Sequence, residues 1–171
     1  MALVEMRIAL ITTDPQLGTH VVILEPREGT GRAVPIWIGQ PEALAIVAAV
    51  QSIRMARPMT HDLFKAALDD LGAKVEAVDV VALRDGTYYA AVRLSTPAGP
   101  KTLDARPSDA LALAVRAGAP IRVEEEVIAA AASATMTLKS SEDASPLVVA
   151  GDVTDDLLAS LTEDAFPKWK M

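Results

Sequence analysis

The sequence contains no cysteine. That absence excludes a disulfide framework, a thiolate metal site and a cysteine nucleophile together. Aromatic residues are scarce: two Trp, two Tyr and two Phe make up 4% of the chain, too few to interleave with basic residues as a stacking platform for single strands. No apolar run approaches the roughly 18 residues of a membrane span, and no charged-then-apolar leader opens the chain. A soluble cytoplasmic protein without membrane contact is the expectation. An excess of positive charge is also missing. The 171 residues carry 16 basic and 23 acidic side chains, a net of −7, which argues against a nucleic-acid coat protein. The acidity is uneven. Residues 137–171 hold three lysines against seven acids, leaving 13 basic and 16 acidic groups on residues 1–136. The body is nearly balanced, so a local phosphate-binding surface remains allowed.

What the chain has in quantity is apolar residues, 51% of the total, enough for one good core. One domain over residues 1–136 is expected, then an acidic tail, 137–171, with a short amphipathic segment around Leu157, Leu158 and Leu161. "LVEMRIALITT", "THVVILE" and "RAVPIWIG" read as three opening antiparallel strands separated by turn residues. "QPEALAIVAAVQSI" reads as a helix with Pro41 in its first turn and Glu42 favourably placed for the helix dipole. "THDLFKAALDDLG" makes a second helix, with Thr60 as N-cap and Gly72 just past its end. Leu63, Ala67 and Leu71, with Phe64 and Leu68, share one face of it, expected to be core. Asp85-Gly86 is the turn pair of a hairpin flanked by β-compatible runs. "KTLDAR" is a further strand, "PSDALALAVRAG" a third helix, "APIRV" the lead into "EEEVIAAAASA", a fourth. Strands, helices, strands, helices predict an α+β fold with a mainly antiparallel or mixed sheet packed with helices. "IWIGQPEALAI" and "LDARPSDALAL" echo one another, each running from a strand through a proline into an apolar helix.

The densest chemistry lies in "DARPSDA". Strand periodicity puts Asp104 and Arg106 on one side and Ala105 on the other, with Ser108 and Asp109 following at a helix N-terminus, which favours anions. Such a stretch can hold a cation on its carboxylates and an anion on Arg106. On these residues alone, ordinary capping and a self-neutralising Asp–Arg pair explain it more simply. His61 and Asp62 form a second cluster, a base or metal ligand beside an orienting carboxylate, though "THD" matches no zinc signature. "GTG" at 29–31 lacks the spacing of a phosphate loop, and no serine sits in a nucleophile elbow. Trp37 is assigned to the core or to an interface.

Taken together, "PIWIGQPEALAI", "RPMTHDLFKAALDDLGAKVEAVDV", "LRDGTYYAAVRL" and "LDARPSDALALAVRAGAPIRVEEEVI" resemble the bifunctional nuclease domain family over roughly residues 1–130. The resemblance implies an α+β domain of uncommon topology, self-association, and degradation of both RNA and DNA. It marks Glu42, Thr60, His61, Asp62, Asp104, Arg106, Pro107, Ser108 and Asp109 as matching positions, without fixing a role for any. Chemistry then makes His61, Asp62, Asp104, Arg106 and Asp109 the catalytic candidates. Glu42, Asp62, Asp104 and Asp109 are candidate ligands for a divalent cation such as magnesium, His61 the base and Arg106 the phosphate clamp. The alternative is a non-catalytic regulatory or scaffolding module whose charged segments are caps and ion pairs. Homo-oligomerisation is expected in either case, because the helix from Pro41 to Ile53 is apolar on nearly every side. The C-terminal helical UVR-type motif of some relatives has no counterpart in residues 137–171.

Overall fold

The computed structural model describes residues 2–14, 18–28, 31–134 and 148–149. The chain order is β1 (Leu3–Thr13), β2 (His20–Pro26), β3 (Val34–Ile38), α1 (Gln40–Val50), α2 (Thr60–Asp70), β4 (Lys74–Arg84), β5 (Thr87–Thr96), β6 (Gly99–Ala105), α3 (Pro107–Ala117), β7 (Ile121–Glu124), α4 (Glu125–Ala134) and β8 (Val148–Val149). The fold is α+β, with four helices among the described residues and a curled mixed sheet in the order β3-β2-β1-β7-β4-β5-β6.

The same succession occurs twice. β1–β2–β3 is an antiparallel meander that leads into α1, and β4–β5–β6 is another that leads into α3. The short β7 joins the two halves, antiparallel to β1 and parallel to β4. The echo between "IWIGQPEALAI" and "LDARPSDALAL" is thus an echo of architecture. Asp85 (φ 49°) and Gly86 (φ 76°) both take positive φ at the tip of the β4–β5 hairpin, as a two-residue type I′ turn requires.

Alternation along the strands separates two faces. Met6, Ile8 and Ile11 of β1, Val78 and Val80 of β4, Ala90 and Val92 of β5 and Val123 of β7 point into the core shared with α1, α3 and α4. An irregularity in the β1–β2 register between Ile8 and Leu10 shifts the alternation by one residue, which keeps Ile11 on the inner side. The other face carries charge. There Asp79, only 1% exposed, accepts from Arg93 Nε and Arg122 Nε at 2.7 Å each, tying β4 to β5 and β7.

Two expectations about helices need correction. α1 needs no second copy to cover it: Ala43, Ala45, Ile46, Val47 and Ala48 are buried within the chain, packed with α3 and β2. The apolar face of α2 is not core. Only Leu68 is buried, while Leu63, Phe64 and Leu71 are 63%, 42% and 75% exposed. Trp37, expected in the core or an interface, is 40% exposed and so is not core. Val148–Val149 of the tail pair parallel to β1; the amphipathic segment at Leu157, Leu158 and Leu161 lies outside the described residues. Among the described residues no helix is long and apolar enough to cross a membrane.

Candidate functional site

Two strand-to-helix junctions and the start of α2 meet at one place. In the first junction Gly39 caps α1 in an extended conformation (φ −76°, ψ 165°), with a proline following and Glu42 in the first turn. In the second, Arg106 caps α3 (φ −68°, ψ 145°), again with a proline following and Asp109 in the first turn. Neither cap residue makes a side-chain capping bond, so each side chain, where there is one, is left for other work. Glycine at 39 leaves room for Glu42: a Cβ there would stand 2.4 Å from Glu42 Oε2. The Arg106 side chain joins the two junctions. Nη1 lies 2.9 Å from Glu42 Oε1, while Nε and Nη2 donate to Asp109 Oδ2 and Oδ1 at 2.8 and 3.2 Å.

From α2, His61 Nε2 meets Asp109 Oδ1 at 3.0 Å. The result is a continuous chain of contacts, Glu42–Arg106–Asp109–His61, drawn from α1, the α3 cap, α3 and α2. The imidazole is sheltered, its side chain 15% exposed, whereas the Arg106 side chain is 66% exposed. Beside it, Asp62 Oδ2 accepts from the Met59 backbone N–H at 3.0 Å. The N-cap of α2 is therefore Met59 and not Thr60, which is already helical. Asp62 Oδ1 accepts from Arg116 Nε, and Arg116 Nη1 donates to the Ala45 and Ala112 carbonyls at 2.9 Å each. Arg116 thereby ties α1, α2 and α3 together.

The electrostatics follow from this pairing. Burial raises the Asp109 pKa, but the hydrogen bonds from Arg106 and His61 outweigh it and hold the carboxyl below its ordinary value. Asp62 is likewise raised by burial and lowered further by Arg116 and the Met59 N–H, with a net decrease. The guanidinium of Arg106 is held above its usual value by Asp109 and then Glu42.

Of the residues singled out in sequence, Glu42, His61, Asp62, Arg106 and Asp109 are brought together. Asp104 is not. β6 ends at Ala105, so strand alternation does not carry on to Arg106, which turns to Glu42 and Asp109. Asp104 lies opposite Ala91 in register, exposed on the sheet face that carries Asp79. Ser108 is buried at the start of α3. Sequence reasoning missed Arg116, because an arginine in the last turn of an apolar helix reads as an ordinary dipole partner.

The donor set does not suit a metal ion. Each clustered carboxylate already faces a guanidinium, and among the described residues no three His, Asp or Glu side chains gather in a way that could hold a cation. The four carboxylates expected to form a magnesium site therefore do not assemble as one.

Residues 22–136 match the bifunctional nuclease domain family. The chain belongs to that family. An uncharacterized protein of Mycobacterium tuberculosis is 36% identical over 164 residues, which cover 95% of this chain and 97% of that one. Bifunctional nuclease 2 of Arabidopsis thaliana is 32% identical over 116 residues, 65% of this chain and 35% of the plant protein. Bifunctional nuclease 1 of the same plant is 30% identical over 115 residues. Relative to these plant members of the bifunctional nuclease domain family, the chain spans about a third of their length.

Proposed function

We propose that this bifunctional nuclease domain hydrolyses phosphodiester bonds of RNA and DNA at the Glu42–Arg106–Asp109–His61 cluster. The observation that carries the reading is the 3.0 Å contact between His61 Nε2 and Asp109 Oδ1, beside an exposed guanidinium on the same carboxylate. Asp109 orients the imidazole and occupies Nε2, which leaves Nδ1 to exchange protons with substrate. His61 Nδ1 takes a proton from the attacking water as its oxygen bonds to phosphorus. The departing sugar oxygen takes a proton from solvent. Arg106 turns its outer N–H groups to the phosphate oxygens and offsets their developing charge. Glu42 and Arg116 are positioning residues, the first acting on Arg106 and the second on Asp62.

The experiment is cleavage of single-stranded RNA and DNA by wild type and His61→Gln purified in parallel. A loss of at least about 100-fold with an unchanged fold is expected. Equal rates in the two preparations would refute the reading. A second reading, a non-catalytic regulatory or scaffolding module, draws its support from the pairing of the clustered carboxylates with arginines, which on its own serves to lock three helices together.

A further inference from the structure

We infer that the outer face of the sheet holds a binding site for a phosphomonoester, gripped by Arg93 and Arg122 over the buried Asp79. It lies on the face opposite the core and does not rest on the catalytic reading of the Glu42–Arg106–Asp109–His61 cluster. In register, Asp79 stands opposite Arg122 of β7 and Ala91 of β5, while Ala77 stands opposite Arg93. The buried Ala77 and Ala91 flank the carboxylate with small side chains, which leaves room for the two arginines to reach it from either side. Each carboxylate oxygen takes one Nε at 2.7 Å. Arg93 is held a second time, Nη1 donating to Thr102 Oγ1 of β6 at 2.9 Å. Its guanidinium is thus fixed before a ligand arrives, which lowers the ordering cost of binding.

One arginine would neutralise Asp79. The second leaves an excess positive charge anchored to a buried carboxylate, and two like charges held to one group repel until an anion joins them. Donors for that anion are present. Among the described residues Arg93 Nη2 and both Nη groups of Arg122 have no acceptor, and both side chains are partly exposed. Three unused nitrogens on two guanidiniums suit a terminal phosphate, whose three oxygens spread in space, better than a planar carboxylate. The surroundings limit the ligand's size. Glu5 lies opposite Arg122, Glu124 follows on the same side of β7, and Asp104 stands beyond Ala91 in the row of Asp79. Glu5 is engaged by Arg27 at 2.9 Å, and among the described residues none of the three acids pairs with Arg93 or Arg122. A polynucleotide laid across this face would run its phosphates against those acids, whereas a single terminal phosphate avoids them. The occupant is a small phosphomonoester such as a mononucleotide.

The experiment is calorimetric titration of the full chain with adenosine monophosphate, with inorganic phosphate, and with a dinucleoside phosphodiester that has no terminal phosphate. It is run on wild type, on Arg106→Ala, which lacks the phosphate clamp of the proposed nuclease site, and on Arg106→Ala combined with Arg122→Gln or Arg93→Gln. Glutamine keeps a donor for Asp79 and the remaining arginine keeps its charge compensated, so circular dichroism should report an unchanged fold. Adenosine monophosphate and inorganic phosphate should bind wild type and Arg106→Ala, and the phosphodiester should bind Arg106→Ala at least about tenfold more weakly than the nucleotide does. Adding either glutamine should weaken nucleotide binding by about tenfold or more. Binding that vanishes in Arg106→Ala alone would assign the phosphate to the nuclease site and overturn the proposal while leaving the reading of that site intact. Wild type that takes up no adenosine monophosphate at millimolar concentration, glutamine variants that bind it unchanged, or a phosphodiester that binds as tightly would overturn it as well.

Discussion

The two strand-to-helix junctions have the same backbone and opposite chemistry. Each leaves its strand through an extended cap, turns at a proline and presents a carboxylate in the first helical turn. At the first junction the cap is Gly39, which contributes no side chain and whose value is the space it leaves for Glu42. At the second the cap is Arg106, whose guanidinium reaches back to its own Asp109 and across to Glu42. Repeating a junction gives the fold two anionic helix starts. An arginine at the second cap, where the first has glycine, joins them into a single charged unit to which α2 adds His61. The site is thus a product of the difference between the halves rather than of either half.

Filling the space at the first junction should have the larger effect on that unit. Gly39→Ala is compatible with the backbone, since φ is −76°, but the added methyl displaces the Glu42 carboxylate from Arg106. The expected cost is about 1 kcal/mol, seen as a fall of a few degrees in the melting temperature. An unchanged melting curve would mean that Glu42 does not need the gap. A smaller effect comes from acid. Asp109 and Asp62 have folded-state pKa values below the ordinary 3.8, so their contribution is complete above the unfolded value and is lost as pH falls through the lower folded values. Denaturant midpoints should therefore decline on acidification below about pH 4, less steeply in Asp109→Asn than in wild type. Both side chains are partly exposed, which keeps this difference small. Parallel declines would show that Asp109 is not linked to folding.

Local chemistry makes much of this legible in the sequence. The hairpin at Asp85-Gly86 follows from a turn that only certain residue pairs satisfy, and α1 and α3 from prolines suited to a first turn. The insertion of four-residue β7 between β1 and β4 is not legible, since a short strand carries no mark of its neighbours. Periodicity identifies which side chains of α2 share a face but not whether anything lies over them, so it wrongly sends Leu63, Phe64 and Leu71 to the core. Asp104 groups with Arg106 only if the strand is run one residue too far. Asp79, Arg93, Arg116 and Arg122 stand alone in their segments, and only folding pairs them. The resemblance supplies the family, while the joining of Glu42 to Asp109 through Arg106 requires the structure.

The most direct measurement compares Arg106→Ala with Asp104→Asn in the cleavage of single-stranded RNA and DNA, at matched purity and after circular dichroism has verified both folds. If Arg106 unites the two junctions into one site and Asp104 stands apart on the outer sheet face, Arg106→Ala loses at least about 100-fold in rate and Asp104→Asn cleaves like wild type. Retained cleavage in Arg106→Ala, or its loss in Asp104→Asn alone, would contradict the account.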